Sequence, residues 1–154
     1  VLSMQRRSFL KSTAAGSAVA VGASLFPQFV LAEWPKAAFE AKTVDEALSA
    51  LMGMTERTDS GEITIKAPDI AENGAVVPIQ VNTNLPDLES IAIIAEKNPI
   101  PLIASFNFGK NGVGYISTRI KMGSTSDVVA IVKAGGKLYS AKKEVKVTIG
   151  GCGG

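Results

Sequence analysis

The chemistry of this sequence centres on one thiol, that of Cys152, the only cysteine among 154 residues. Glycine has no Cβ and loses the most backbone entropy on ordering, so glycines on both sides of a cysteine predict a thin, flexible tail. Three residues of extended chain would carry this thiol roughly 10 Å beyond Ile149, a reach that suits insertion into the cleft of another protein. The flanking glycines are Gly150, Gly151, Gly153 and Gly154.

A thiol in such a tail is suited to holding a sulfur group and poorly equipped to act alone. A cysteine side chain is only about a few per cent ionised at neutral pH, and the tail contains no base. The sequence has no histidine, the usual general base and the usual nitrogen ligand of metals. Sulfur–sulfur bonds form and break by nucleophilic exchange at an accessible sulfur. We therefore predict a covalent carrier that is not an enzyme and has neither a cofactor nor a metal site.

Residues 1–32 are typical of a twin-arginine export signal, with translation expected to start at Met4. Arg6 and Arg7 precede an apolar stretch over residues 14–31, and the cleavage-site pattern Val30-Leu31-Ala32 lies at its end. The expected location is therefore the periplasm, and an uncleaved membrane anchor is the alternative. Three of the 16 basic residues and none of the 14 acidic ones lie in this segment. The remainder is close to neutral, which gives no reason to expect nucleic acid or membrane as a partner of the mature form.

The mature domain is predicted to begin with one short helix. Apolar residues recur at three- and four-residue spacing between Ala38 and Met52. Thr43 and Glu46 have the spacing of a capping box, so the helix could begin or restart there. Gly53 stands where a C-terminal cap belongs.

Strand patterns fill the rest of the domain, bounded by glycine, proline and asparagine. They predict an antiparallel β-sandwich of about seven strands, resembling the immunoglobulin architecture, over residues 33–149, followed by the flexible tail 150–154. Pro78 predicts an edge position or a bulge in its strand. Gly135 and Gly136 predict a two-residue hairpin. The strand segments are residues 62–67, 75–83, 90–95, 101–108, 114–122, 127–134 and 137–149.

The sequence resembles the SoxY family, the substrate carriers of the bacterial sulfur-oxidation (Sox) system. The resemblance covers the leader and residues 71–78 (Ala-Glu-Asn-Gly-Ala-Val-Val-Pro), 108–112 (Phe-Gly-Lys-Asn-Gly) and 145–154, which end in Gly-Gly-Cys-Gly-Gly. It implies that a haem-containing enzyme conjugates thiosulfate to Cys152, that a hydrolase then releases sulfate, and that another enzyme processes the remaining sulfane sulfur. It also implies a heterodimer with a sister β-sandwich, SoxZ.

Two other functions stay open at this point. In one, the carboxylate of Gly154 is adenylated and converted to a thiocarboxylate, as in ubiquitin-like sulfur carriers. That chemistry needs ATP, and the export signal and the strand-rich domain both oppose it. In the other, the chain is an exported structural or adhesion sandwich with an incidental tail, which the fold alone does not exclude.

Overall fold

The computed structural model describes residues 34–148. The predicted signal segment and the predicted tail, including Cys152, lie outside these residues. The described part contains two helices, α1 (Lys36–Glu40) and α2 (Val44–Met52), and nine strands. The strands are β1 (Arg57–Asp59), β2 (Ile63–Lys66), β3 (Ile70–Ala71), β4 (Val77–Thr83), β5 (Leu88–Ala95), β6 (Leu102–Asn107), β7 (Tyr115–Ile120), β8 (Ser126–Ala134) and β9 (Lys137–Val147).

The single helix predicted over residues 38–52 is two helices, because the capping box starts a new one. The Thr43 hydroxyl accepts a hydrogen bond from the Glu46 amide at 3.2 Å, and the Glu46 carboxylate accepts one from the Thr43 amide at 3.3 Å. Ala41 is extended between the two helices. Gly53 ends α2 in the left-handed region, at φ 72°, and its amide donates to the Ser49 carbonyl. Both predicted caps are confirmed.

The larger sheet has the strand order β1-β9-β8-β5-β6, with β3 also beside β9. Its four long strands, β5, β6, β8 and β9, pair antiparallel as predicted. Strands β1 and β3 pair parallel to β9 and are not predicted by the sequence. They are three and two residues long, and only one of their five residues is buried, so they show no alternation of apolar and polar residues.

The smaller sheet has the order β2-β4-β7 and faces the larger one. Pro78 therefore lies on the central strand rather than an edge strand, so that part of the prediction is wrong. The last pair between β2 and β4 is Lys66 with Gln80, so Pro78 lies beyond the end of β2 and opposite Arg119 of β7 only. A proline is tolerated at such a locally unpaired position. The predicted hairpin is confirmed, with Gly135 and Gly136 at φ 55° and 73° between β8 and β9.

The larger sheet is buried on both faces. Its inner face packs against the smaller sheet through Ile91, Ile93 and their neighbours. Its outer face is covered by α1 and α2, and Leu48 is completely buried there. Burial on both faces explains why β5 and β8 are nearly continuous apolar runs. The predicted immunoglobulin-like, mainly β fold is confirmed. Neither described helix has the length and apolarity needed to cross a bilayer.

Candidate functional site

The structure shows where the chain leaves the sheet on its way to Cys152. Strand β9 ends at Val147, and Thr148 is the last described residue. We call Val147 and Thr148 the tail root. Cys152 follows Thr148 by four residues, which allows about 14 Å of reach when the chain is extended. The predicted site residues themselves lie outside the described part, so the geometry of the site is that of its root.

Strand β3 and the segment before it hold one side of the tail root. The Thr148 amide donates to the Ala71 carbonyl at 3.1 Å, and the Lys146 amide donates to the Asp69 carbonyl at 3.0 Å. The Lys143 ammonium secures the approach to β3, because it donates to the Ala67 carbonyl at 2.7 Å and lies 3.1 Å from an Asp69 carboxylate oxygen. This short parallel ladder therefore continues to the last described residue.

The loop between β7 and β8 holds the other side. Backbone pairing between β8 and β9 stops at Ser126 and Val145. Beyond that pair, the hydroxyl of Thr125 accepts a hydrogen bond from the Val147 amide at 2.9 Å and lies 3.5 Å from the Val147 carbonyl oxygen. A side chain thus takes over where the main-chain ladder ends.

Asn98 fixes the loop that carries Thr125. Its side-chain amide donates to the Lys121 carbonyl at 2.8 Å, and its side-chain carbonyl accepts from the Gly123 amide at 2.9 Å. Both bonds join the β5–β6 connection to the β7–β8 connection at the same end of the sandwich. Asn98 holds the first half of the loop and β8 begins at Ser126, so the Thr125 hydroxyl has a defined position opposite Val147.

Gly74 supports the tail root through close packing. Its carbonyl accepts from the Met122 amide at 2.7 Å. A Cβ placed on Gly74 would lie 2.8 Å from the Val147 side chain and even closer to the Met122 carbonyl oxygen. Only glycine fits this approach without a shift of the backbone. The tail root is consequently held by β3, by Thr125 and by the turn that contains Gly74.

The hydrogen bond from the Gly136 amide is the main cause that lowers the pKa of Glu89. Glu89 stands at the opposite end of the sheet, where β5 begins beside the Gly135 turn. No group of three or more acidic, cysteine or histidine side chains that could hold a metal occurs in this part of the chain.

The residues that hold the tail root have only weak signals in the sequence. Gly74 falls inside the 71–78 stretch that resembles the SoxY family, and this stretch is the only signal that could have drawn attention to it. Thr125 lies in a Gly-Ser-Thr-Ser run that indicates only a turn. Its contact with Val147 depends on the register between β8 and β9, and a strand pattern does not contain that register.

Comparison with known proteins identifies a family. The family of the sulfur oxidation protein SoxY matches residues 48–152. The structure of the sulfur carrier protein SoxY from Chlorobium limicola f thiosulfatophilum is 44% identical in sequence, with a TM-score of 0.64, and the match covers 70% of this chain and 97% of that one. No curated protein sequence gives a significant match.

A more distant structure is similar in fold alone. A superoxide reductase (neelaredoxin) from Ignicoccus hospitalis is 18% identical, with a TM-score of 0.50, over 56% of this chain and 80% of that one. Identity this low carries no function from one protein to the other. The family match includes Cys152, and the SoxY carrier structure is matched over nearly its whole length. The chain therefore belongs to the SoxY family of sulfur oxidation proteins.

Proposed function

We propose that this chain is a periplasmic carrier that holds thiosulfate-derived sulfur groups covalently on Cys152 and presents them to partner enzymes. The observation that carries this proposal is the anchored tail root. Backbone and side-chain hydrogen bonds hold the chain up to Thr148, and Gly-Gly-Cys-Gly-Gly begins two residues later. A fixed root with a glycine-flanked thiol beyond it has the properties of an arm. Membership of the SoxY family supports a sulfur group as the cargo.

The proposed loading step is an oxidation. The Cys152 thiol loses its proton, a bond forms between its sulfur and the outer sulfur of thiosulfate, and two electrons pass to a haem-containing enzyme. The next step is a hydrolysis. Water cleaves the bond between the outer sulfur and the sulfonate, sulfate leaves, and a persulfide remains on Cys152. A third enzyme processes this sulfane sulfur.

The proposed assembly partner is a sister β-sandwich of the SoxZ type, with which the chain forms a heterodimer. A partner that binds before export would agree with the twin-arginine pattern of residues 1–32, since that route carries folded proteins. Purification of the native protein from a periplasmic extract, without a tag on the partner, should recover a second chain in equal amount. Recovery of this chain alone would contradict the heterodimer.

The carrier chemistry is tested by intact mass spectrometry. Protein incubated with thiosulfate and the haem-containing enzyme should gain one thiosulfonate group, and peptide mapping should place this group on Cys152. Cys152→Ser should gain nothing, should lose all thiosulfate oxidation and should keep the wild-type Tm. An adduct on Gly154 would indicate the thiocarboxylate carrier instead. A wild-type protein without any adduct would favour the exported structural or adhesion sandwich.

A further inference from the structure

We infer that Thr125 is a positioning residue for the carrier tail, because its hydroxyl fixes the point at which the chain leaves the sheet. The inference rests on the proposed carrier function, and it concerns a residue outside the tail. Thr125 is half-buried and lies one residue before β8. Among the described residues, the hydrogen bonds of its hydroxyl are both with the main chain of Val147.

The hydrogen bonds of the last three described residues alternate between two supports. The amides of Lys146 and Thr148 point to β3, where the carbonyls of Asp69 and Ala71 accept them. The amide of Val147 points to the opposite side, as alternation along a strand requires, and there the Thr125 hydroxyl is its acceptor. Strand β8 supplies no main-chain partner at this level, because its pairing with β9 ends at Val145. Thr125 therefore completes the hydrogen bonding of the tail root.

The Thr125 contact helps to set the length of the arm, together with the bonds from Lys146 and Thr148 to Asp69 and Ala71. Val145 is fully buried, whereas Lys146 and Thr148 are exposed and Val147 is half-buried. If the root loosens, the next secure point is Val145, and residues 146–148 join the arm. Three more residues add about 10 Å of reach. The effective concentration of a tethered group falls roughly as the −3/2 power of tether length, so an arm of seven rather than four residues would present Cys152 about half as often.

The test compares Thr125→Val, which removes the hydroxyl and keeps the shape, with Thr125→Ser, which keeps the hydroxyl. Thr64→Val is a matched control, since Thr64 is exposed on β2 and its hydroxyl makes no described hydrogen bond. Two readouts need no partner protein. Hydrogen exchange reports on the amides of Val147 and Thr148, and a nitroxide on Cys152, the only cysteine, reports on the motion of the arm. The third readout is kcat/KM for loading with thiosulfate by the haem-containing enzyme.

Thr125→Val should speed exchange at Val147 by about two- to tenfold, the range expected for one lost hydrogen bond. It should also narrow the nitroxide spectrum and lower kcat/KM about twofold through KM. Thr125→Ser and Thr64→Val should match the wild type in all three readouts.

Unchanged exchange and an unchanged spectrum in Thr125→Val would overturn the inference. Faster exchange with unchanged loading would also overturn it, because the hydroxyl would then be structural only. Failure of the proposed function would give a different result from failure of this inference. The wild-type protein itself would then not be loaded, while hydrogen exchange and nitroxide motion would still respond to Thr125→Val.

Discussion

At the scale of single residues, polar side chains act mainly where main-chain pairing stops. Thr125 bonds the end of β9, Asn98 bridges two connections, and Glu89 bonds the turn at the opposite end of the sheet. Each satisfies a backbone group that neither a helix nor a ladder can reach. The ends of the sandwich are therefore defined by side chains, and its middle by apolar packing.

Glu89 should make stability depend on pH. Its carboxylate accepts from the Gly136 amide at 2.8 Å and lies 3.4 Å from the Lys133 ammonium, and these contacts hold its pKa below the ordinary 4.5. A folded-state pKa below the unfolded one gives stability that is present above the unfolded pKa and lost as the pH falls through the folded one. Glu89→Gln should therefore have a slightly lower Tm than wild type at pH 7 and an equal Tm at an acidic pH well below the folded-state pKa. Calorimetry at both pH values checks this. If the difference in Tm between the two proteins were the same at both, the charge of Glu89 would not be its cause.

Gly74 should be among the glycines least tolerant of substitution. The methyl of Gly74→Ala would meet the Val147 side chain and the Met122 carbonyl, so we expect a loss of about 1–3 kcal/mol in the free energy of unfolding. Gly61→Ala is the matched control, because its Cβ would meet nothing within 4 Å, and it should be neutral or slightly stabilising. Urea denaturation measures both. Equal stability of the two variants would show that the turn at Gly74 can shift to accept a methyl group without a loss in the free energy of unfolding.

At the scale of elements, the sequence predicts best those strands that have a clear pattern of burial. Strand β4 alternates strictly between buried and exposed residues, and β8 is an apolar run covered on both faces. Strands β1 and β3 escape prediction because they are short and mostly exposed, and because their partner β9 lies more than 70 residues away. The same distance in sequence hides the contacts of the tail root. Cys152 and its glycines are predicted from the sequence alone and stay a prediction, whereas Gly74 and Thr125 emerge only from the structure.

The tail itself should depend on its glycines. Replacing Gly150 and Gly151 with valine favours extended backbone and adds branched bulk, so the arm should enter partner clefts slowly. We expect a fall of at least about tenfold in the rate of enzymatic loading, the cost of about 1.4 kcal/mol in the barrier. Alkylation of Cys152 by iodoacetamide and the Tm should stay near the wild-type values. Normal loading of this double variant would mean that the cysteine alone, and not the flexibility of the arm, is what the partners need.

At the scale of the whole molecule, the predicted export signal over residues 1–32 makes export depend on Arg6 and Arg7. The twin-arginine route requires arginines at these positions and not merely positive charges. Changing both to lysine keeps the charge and should leave the protein in the cytoplasm. Cell fractionation with immunoblotting is the measurement, and Lys11→Arg, which also keeps the charge, should be exported normally. Periplasmic recovery of the double-lysine variant would point to another export route.

Strand β9 also has a mechanical consequence. It pairs with β8 over nine residue pairs, it pairs with β1 and β3 on its other side, and it leads directly towards Cys152. In the proposed carrier function, a pull on the thiol by a partner enzyme would reach the domain at the end of β9, and its component along the strand acts on β9 as a whole. The interstrand hydrogen bonds lie across the strand axis, so they are loaded together in shear and not opened one after another. The force needed to extract the strand should then be high. Resistance to forced unfolding is governed by the height of the unfolding barrier rather than by equilibrium stability. The domain would therefore serve the proposed carrier as a mechanical anchor that stays folded while the arm is pulled out of a partner enzyme.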